Sequence, residues 1–535
     1  MPEIVQKNSA YLNSMSTTGS TLRVRDASPT SGMCPLCYKG CPHLCEISLS
    51  AFRGREALYP EPIQFGLSTA SSLKDYRLDW SDFNIQAELL GAEGIAADSD
   101  VALFPAADTK TEVGGIPLKM PILIGAYGST DVARLNWNGL AVGAAISGII
   151  ITIGENVCGV DPESRFQNGK VVYSKELERR INTFRKFWDG KYGDIAVQTN
   201  VEDQRLGVDV YALSKLEVNI IERKWGQGAK AIGGEIRVLD LDRAIQLKKR
   251  GYIVLPDPED ASFQEAFKRG VFQSFERHSR VGFPAAESFL EDIDWLRGQG
   301  AKHVTLKTGA YRPAVVAFTM KLASEAKLDY VTFDGAGGGT GMSPVPMMND
   351  MGIPTVYLEA LVLKCAQILK TKGKHVPDMV MAGGFISESQ VYKSIALSNF
   401  GDGPLVKAVL MARSPLTAVM KSSYFTELAA EDKLPGHFAA RYGKTPEKFF
   451  ISTAELKEIY GDRVKDIPWE AVGLFGYLDG RIRVGLQQLM AGSRMWKLNL
   501  LSRKNLMSLT ERARDVTGIP TVEEADADVL KSLLT

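Results

Sequence analysis

Residues 330–344 read YVTFDGAGGGTGMSP, a short apolar run that passes directly into a glycine-rich loop. Five glycines fall within the eight residues 334–341. Glycines let a backbone approach a ligand closely and turn its N–H groups inward, which forms a concavity that favours anions. The run therefore predicts a buried strand, and the loop predicts a site for a phosphate-bearing ligand at the end of that strand.

The same alternation extends on both sides of this stretch. Between residues 86 and 420, short apolar runs that end in glycine or polar residues alternate with helix-like segments. This pattern indicates a parallel α/β architecture, and we predict a (β/α)8 TIM barrel. Seven candidate strands are 121–126, 149–153, 195–199, 304–307, 331–334, 379–382 and 406–411. For the fourth strand, the alternatives are 253–256 and the earlier 229–232.

The flanking regions differ from the barrel in pattern. Residues 1–85 are irregular and predict an N-terminal extension that carries a cysteine cluster, whereas residues 421–535 are mainly helical. We expect this C-terminal region to be a cap or a homo-oligomer surface. Within the barrel, residues 257–282 are charged, with aromatic patches, and predict a lid or an insertion.

Charge and hydropathy limit the partners. Lys plus Arg equal Asp plus Glu at 63 each, so no net field attracts nucleic acid or an anionic membrane. The first thirty residues lack the apolar core of a signal peptide, and the longest apolar run, 144–153, is too short to span a bilayer. We therefore expect a cytoplasmic protein that acts on a small molecule.

Four of the six cysteines lie close together near the N-terminus. They are Cys34, Cys37, Cys41 and Cys45. Iron–sulfur clusters take four thiolates from closely spaced cysteines, so this spacing favours a [4Fe–4S] cluster. A structural zinc ion is the alternative, although zinc sites usually use two CxxC pairs separated by a longer loop. Free thiols are the remaining interpretation.

Two further loops at strand ends are suited to an anion. Gly383 and Gly384 follow the seventh candidate strand, while Ala412 and Arg413 follow the eighth. In TIM barrels, phosphate commonly binds the loops after strands seven and eight, at the face where active sites lie. These residues predict a phosphate site made of backbone N–H groups and an arginine.

Six strings occur in an order that resembles the FMN-binding synthase domain of glutamate synthase, across roughly residues 105–420. The loop at 334–344 resembles that family's Asp-Gly-His-Asp-Gly-Gly-Thr-Gly-Ala-Ser-Pro, and residues 227–230 match its Gln-Gly-Ala-Lys. The other four are KMPILIGAYGS at 119–129, IGEN at 153–156, Gln198 with RLGV at 205–208, and VTLK at 304–307.

This resemblance implies an oxidoreductase of the CH–NH2 class working in reverse, in which FMN serves to reduce 2-iminoglutarate, formed from 2-oxoglutarate and ammonia, to L-glutamate. The implied catalytic residues are Glu155, Arg205, Lys230 and Lys307. The implied FMN-binding residues are Gly125, Ala126, Gln198, Lys307, Asp334, Gly338, Gly339, Thr340, Gly341, Gly383, Gly384, Ala412 and Arg413.

Several features depart from the family pattern. Met1-Pro2 offers no N-terminal cysteine nucleophile, so we expect ammonia from a separate glutaminase, and the family's [3Fe–4S] cysteines are missing from 412–427. No GxGxxG nicotinamide fingerprint occurs, so electrons are expected from ferredoxin or a reductase subunit. The reaction could also be that of a closely related imine or 2-oxo acid. Two alternatives remain: a subunit of an assembly resembling N-methylglutamate synthase that makes an N-substituted glutamate or acts on another amino acid, and a flavin and cluster relay without a substrate of its own.

Overall fold

The computed structural model describes residue 47, residues 51–52, 74–228, 232–336 and 343–535. The predicted cluster ligands Cys34, Cys37, Cys41 and Cys45 lie outside the described residues. So do Lys230 and the loop residues Gly338, Gly339, Thr340 and Gly341.

Eight parallel strands close into a barrel in chain order, with the eighth paired to the first. Barrel strands 1 to 8 are Ile122–Tyr127, Ile150–Ile153, Ile195–Thr199, Ile220–Lys224, His303–Gly309, Tyr330–Asp334, Asp378–Ala382 and Val406–Met411. The predicted TIM barrel is confirmed. Seven strands agree with the predicted runs to within two residues at each end.

The prediction for the fourth strand was wrong. Barrel strand 4 is Ile220–Lys224, whose last three residues are all charged and therefore read as surface in the sequence. In the structure Glu222 and Arg223 are buried, because Arg223 is paired with Asp209 at 2.6 Å and with Asp292 at 2.6 Å. Ile253–Leu255 belongs to a different sheet.

Helices follow the barrel strands and cover their outer surface. They are Asp131–Ser147, Val157–Val160, Lys175–Arg185, Val201–Leu206, Val208–Leu216, Ala286–Gly298, Pro313–Glu325, Val345–Asp350, Thr355–Thr371, Glu388–Leu397 and Arg413–Ala430. Local signals set their ends: Thr130 caps Asp131–Ser147 by accepting from the N–H of Ala133, and Gly148 ends it in the left-handed region.

The core has two layers. Inside the barrel, strand residues such as Leu123, Ile150 and Ala408 pack against the hairpin formed by Thr111–Val113 and Ile116–Leu118. Outside, the other faces of the strands pack against the helices in one continuous apolar cluster. Because both faces are buried, the strands read as unbroken apolar runs, which is why the sequence revealed them.

Residues 232–285 contain an insertion between barrel strands 4 and 5. It contains a three-stranded antiparallel sheet of Glu235–Val238, Phe275–His278 and Ile253–Leu255, with helices Leu241–Lys249 and Ala261–Lys268. The predicted insertion at 257–282 thus covers only part of a larger element. A second small hairpin, Arg165–Gln167 with Lys170–Tyr173, lies after barrel strand 2.

The C-terminal region is helical, as predicted. Its helices are Gly436–Tyr442, Pro446–Phe449, Thr453–Tyr460, Trp469–Phe475, the π-helix Gly476–Arg483, Val484–Gly492, Glu511–Thr517 and Ala527–Leu534. Helix Trp469–Phe475 packs against Asp131–Ser147 and Arg413–Ala430, and the latter runs across the predicted boundary at residue 420.

The two ends of the described chain meet on the surface of the barrel. Strand Phe83–Ile85 pairs antiparallel with Leu506–Ser508. Short 3-10 turns lie at Trp80–Asp82, Phe104–Ala106, Gly461–Asp466, Leu498–Leu500 and Arg503–Asn505. Among the described residues, no helix has both the length and the apolar character that a bilayer crossing requires.

Candidate functional site

A cavity of about 880 Å³ opens at the carboxyl ends of the barrel strands, and we call it the mouth pocket. Residues from the barrel, the insertion and the C-terminal region line it. Among its lining residues are Ala126, Glu155, Gln198, Lys224, Gln227, Arg277, Ser279, Lys307, Asp334, Gly383, Gly384, Ala412, Arg413, Ser414 and Tyr477. The pocket thus lies where TIM-barrel active sites are found, and it gathers most of the described residues that the sequence predicts.

Lys307, two residues before the end of barrel strand 5, is 5% exposed and lies on the floor of the mouth pocket. Its ammonium nitrogen Nζ is 3.3 Å from Oδ2 of Asp334 on barrel strand 6. Glu222 lies nearby and is fully buried, and its burial raises the pKa of its carboxyl although Lys307 opposes that shift. The floor therefore presents one cation held between two acidic side chains.

Gln198 extends this polar floor toward barrel strand 3. Its side-chain Nε2 donates a hydrogen bond of 2.6 Å to Oε1 of Glu222. The amide is 1% exposed and lines the pocket, so its rotamer is held by packing as well as by this bond. A fixed amide at this place is suited to bind the polar edge of a planar ring.

Glu155 is held from two sides at the rim of the pocket. Lys224 forms an ion pair with its Oε1 at 3.0 Å, and Asn200 donates from Nδ2 to its Oε2 at 2.9 Å. Lys224 also donates to Oε1 of Gln227 at 2.6 Å. These contacts give the Glu155 carboxylate one orientation, facing the pocket.

Asp203 supports the turn that carries Glu155. It is fully buried and accepts from the backbone N–H groups of Asn156, at 2.9 and 3.1 Å, and of Asn200, at 3.3 Å. Burial raises the pKa of its carboxyl to about 7, and the neighbouring Glu155 carboxylate adds to the shift. No local pattern in the sequence marks Asp203 as buried, because only the fold places its carboxylate beside the N–H of Asn156.

The other end of the pocket is built from backbone. Gly383 and Gly384, after barrel strand 7, have φ angles of +115° and +90°, which side chains rarely adopt. A Cβ on Gly383 would lie 2.5 Å from Oγ1 of Thr355 and 2.8 Å from the carbonyl oxygen of Gly335. This tight, glycine-dependent turn brings N–H groups to the pocket surface.

Helix Arg413–Ala430 begins at the same end of the pocket. Ala412 is its N-cap residue and makes no side-chain cap hydrogen bond, and the first residues of the helix, Arg413 and Ser414, line the cavity. Tyr127, buried at the end of barrel strand 1, donates its hydroxyl to the carbonyl oxygen of Ala412 and thereby fixes the cap. A helix N-terminus beside a glycine turn is a strong anion site, and Arg413 adds a cation.

Gly125 does not line the pocket, although it stands one residue before Ala126. A Cβ at Gly125 would lie 2.7 Å from Cδ2 of Leu410 and 3.1 Å from Cβ of Ala412. Its role in the structure is close packing of barrel strand 1 against the end of strand 8.

Arg277 is the functional candidate that the sequence predictions missed. It lies on strand Phe275–His278 of the insertion, is 2% exposed, and lines the mouth pocket. Its Nη1 donates to Oγ of Ser279 at 2.6 Å, and its guanidinium lies 5.0 Å from the ring centre of Tyr252. Within the described part of the chain, no carboxylate lies within 4.0 Å of this guanidinium, so the buried charge faces the pocket without a counterion from these residues.

Arg205 is not brought to the mouth pocket. It forms an ion pair with Glu202 at 3.2 Å, donates to the carbonyl oxygen of Arg250 at 2.8 Å, and lines a separate cavity of about 700 Å³. Its predicted role in holding a substrate carboxylate stays a prediction. Arg277 and Arg413 are the described arginines that line the mouth pocket.

Comparison with known proteins shows which family part of the barrel is similar to. The family model described as the conserved region in glutamate synthase matches residues 283–410, which include barrel strands 5 to 8. This part of the barrel is therefore similar to the glutamate synthase family. Archaeal glutamate synthase (NADPH) of Archaeoglobus fulgidus is 29% identical over 210 residues, covering 39% of this chain and 36% of that protein.

A second relative matches a shorter stretch. The archaeal-type glutamate synthase (NADPH) of Thermotoga maritima is 38% identical over 76 residues, covering 14% of each chain. The chain therefore spans much less than two thirds of the length of the curated relatives it matches.

Two solved structures align with most of this chain at low identity. The flavin-binding domain of baker's yeast flavocytochrome b2 gives a TM-score of 0.45 at 14% identity, covering 85% of this chain and 82% of that one. A soluble mutant of (S)-mandelate dehydrogenase from Pseudomonas putida gives 0.41 at 16% identity, covering 80% and 88%. Both scores are below 0.5, so the fold assignment rests on the closed barrel itself.

Proposed function

We propose that this protein is an FMN-dependent oxidoreductase that reduces 2-iminoglutarate, formed from 2-oxoglutarate and ammonia, to L-glutamate, or reduces a closely related imine or 2-oxo acid to the corresponding product. One observation carries the proposal: a single pocket has a backbone anion site at one end and the buried guanidinium of Arg277 at the other. The similarity of the barrel to the glutamate synthase family supports both the cofactor and the substrate class.

The residues at the phosphate end are suited to FMN. Gly383, Gly384, Ala412 and Arg413 line this end and would supply N–H groups and a cation for a phosphomonoester. Lys307 and Gln198 on the floor would bind the polar edge of the ring system. When bound, FMN supplies the hydride for the reduction.

The substrate would lie between the floor and the insertion. Arg277 would bind a carboxylate through its planar fork, which removes the cost of a buried charge without a counterion. The predicted ligand Lys230 lies outside the described residues, and we keep it as a proposed second contact to the substrate carboxylates. Two cations would suit a dicarboxylate better than a monocarboxylate.

Glu155 is the side chain placed to handle a proton. Reduction of an imine adds hydride at carbon and requires a proton on nitrogen, and a carboxyl group within reach can hold and deliver it. Lys224 and Asn200 orient both carboxylate oxygens of Glu155 toward the pocket. We propose Glu155 as this group, with Asp203 as a positioning residue beneath it.

The electron supply belongs to the same proposal. We propose that Cys34, Cys37, Cys41 and Cys45 bind a [4Fe–4S] cluster that receives electrons from a ferredoxin or a reductase subunit, with zinc as the alternative metal. Metal and acid-labile sulfide analysis of the anaerobically purified protein distinguishes them, since zinc brings no sulfide. Ammonia would come from a separate glutaminase.

The first experiment follows the flavin absorbance of the reduced protein under anaerobic conditions. Rapid reoxidation that needs both 2-oxoglutarate and ammonium is the expected result. A monocarboxylate such as pyruvate with ammonium serves as the matched control and should reoxidise the flavin more slowly. FMN bound without reoxidation by any 2-oxo acid would instead favour the electron-relay function.

A further inference from the structure

Tyr252 belongs to the insertion, and its side chain is packed against the barrel. It lies between helix Leu241–Lys249 and strand Ile253–Leu255 and is 3% exposed. Val254 pairs with Arg277, and Tyr252 stands two residues before Val254. Because side chains alternate along a strand, Tyr252 projects from the same face of the insertion sheet as Arg277.

The ring of Tyr252 contacts the guanidinium of Arg277. That guanidinium lies over the ring, 5.0 Å from its centre, and both side chains are buried. A guanidinium is attracted to the face of an aromatic ring, more strongly when both groups are removed from water. Nη1 of Arg277 also donates to Oγ of Ser279 at 2.6 Å. The hydrogen bond and the ring together restrict the direction in which the charge of Arg277 points.

The hydroxyl of Tyr252 is directed at the turn that carries Glu155. It donates to Oδ1 of Asn156 at 3.1 Å. Asn156 is 4% exposed, lines the mouth pocket and has a φ of +65°, which is uncommon for a residue with a side chain. Its backbone N–H is held by Asp203, so both its side chain and its backbone are bonded to other segments. Glu155 is the preceding residue, and its direction therefore depends on these bonds.

The barrel accommodates Tyr252 at Gly159. A Cβ on Gly159 would lie 1.8 Å from the hydroxyl oxygen of Tyr252 and 2.7 Å from its Cζ. Burial raises the pKa of this hydroxyl, so it keeps its proton and stays a donor. An ordinary core tyrosine would account for the burial of the ring. It gives no reason for the hydroxyl to bond a pocket-lining side chain while the ring contacts the guanidinium of Arg277.

We propose that Tyr252 is a positioning residue that joins the two side-chain parts of the candidate active site. Its ring holds the guanidinium of Arg277, and its hydroxyl holds Asn156 beside Glu155. This inference rests on the proposed function, in which Arg277 binds a substrate carboxylate and Glu155 handles a proton. One side chain then fixes where the carboxylate ligand and the proton-handling group lie relative to each other.

Two variants separate the ring of Tyr252 from its hydroxyl. Tyr252→Phe removes the hydroxyl alone, whereas Tyr252→Leu removes the hydroxyl and the ring. Tyr211→Phe is the matched control, because Tyr211 is 5% exposed and its hydroxyl also takes part in a hydrogen bond of 3.1 Å, with the N–H of Ser174. Neither Tyr211 nor Ser174 lines the mouth pocket. Each full-length protein carries its flavin, and an unchanged Kd of FMN shows that the barrel is intact.

Reoxidation of the reduced flavin at saturating ammonium gives a limiting rate and a half-saturating concentration of 2-oxoglutarate. We expect Tyr252→Phe to lower the limiting rate by about 2-fold to 10-fold and to leave the half-saturating concentration unchanged, because the ring still holds Arg277. Tyr252→Leu should also raise the half-saturating concentration by about 5-fold to 30-fold. Tyr211→Phe should match wild type. Wild-type kinetics in Tyr252→Leu, or the same half-saturating concentration in both Tyr252 variants, overturns the proposal.

Amide hydrogen exchange tests the two contacts without the reaction. Tyr252→Phe should speed exchange in helix Val157–Val160, where the N–H of Val160 donates to the carbonyl oxygen of Asn156, and should leave strand Phe275–His278 unchanged. Tyr252→Leu should speed exchange in both segments, and unchanged exchange in both overturns the proposal. If 2-oxoglutarate and ammonium do not reoxidise the wild-type flavin, the proposed function fails, and these exchange rates still decide whether Tyr252 holds both segments.

Discussion

The two ends of the mouth pocket are built differently. The end near Gly383 and Ala412 is a backbone surface, made by two loops that directly follow barrel strands 7 and 8. The end near Arg277 depends on side chains, brought from an insertion strand that pairs with no barrel strand. Residues next to one another in the sequence determine a backbone site, whereas a side-chain site depends on where a distant segment of the chain folds.

The largest effect is expected at the side-chain end. Arg277→Gln removes a buried cation from the pocket, which typically costs about 2–5 kcal/mol when the group it binds is charged. The KM for 2-oxoglutarate should rise and kcat/KM should fall by roughly 30-fold to 5000-fold, while the Kd of FMN stays the same. Steady-state kinetics measure KM and kcat/KM, and flavin fluorescence measures the Kd of FMN. A loss of FMN affinity would contradict the division of the pocket into two ends.

The backbone end is tested by Gly383→Ala. The added Cβ meets Thr355 and Gly335, and the φ of +115° is strained for alanine, a combined cost of about 1–3 kcal/mol. We expect the Kd of FMN to rise by about 5-fold to 150-fold. Gly401→Ala is the matched control, because Gly401 has a φ of +123° and nothing within 4 Å of its Cβ position. If both variants lose the same FMN affinity, backbone strain alone would explain the loss, and the position of Gly383 in the pocket would not.

The raised pKa of Asp203, beneath the rim of the pocket, predicts that the stability of the protein depends on pH. Its folded-state pKa of about 7 lies above the usual value of 3.8, so between these values the native state binds more protons than the unfolded state. The free energy of unfolding should therefore fall as pH rises from about 4 to 7. In Asp203→Asn, the change in the free energy of unfolding between pH 4 and pH 7 should be smaller by on the order of 1–3 kcal/mol. Urea denaturation at pH 5 and pH 8 measures it.

Asp479 provides the comparison for Asp203. It is buried in the π-helix of the C-terminal region, and burial raises the pKa of its carboxyl to about 7 as well, against the lowering effect of Arg483. Asp479→Asn should reduce the slope of stability with pH by a similar amount without changing the KM for 2-oxoglutarate. If neither Asp203→Asn nor Asp479→Asn changes how the free energy of unfolding depends on pH, other titratable groups determine that dependence.

The smallest effect is expected for Arg205→Gln. Arg205 lies outside the mouth pocket and pairs with Glu202, so its loss should change the KM for 2-oxoglutarate by less than about threefold. A rise in KM comparable with that of Arg277→Gln would restore Arg205 as the substrate ligand and contradict the assignment of Arg277.

Local sequence predicted well where neighbouring residues alone decide the structure. Seven barrel strands were recognised because residues buried on both faces leave unbroken apolar runs. Barrel strand 4 was missed because Arg223 is neutralised by Asp209 and Asp292, the second of them 69 residues away, and no local pattern records such a pair. The sequence likewise does not distinguish Arg277 from Arg205, because no local pattern records which of the two reaches the pocket.

By itself, then, the sequence determined the barrel, the loops after strands 7 and 8, and Lys307 near a strand end, since strand ends and glycine turns are set by residues next to one another. Only the tertiary structure decided which arginine faces the pocket, that Asp203 is buried beneath Asn156, and that Tyr252 contacts both Asn156 and Arg277. Those facts depend on packing and pairing between segments that lie far apart along the chain, and burial is a property of the whole fold.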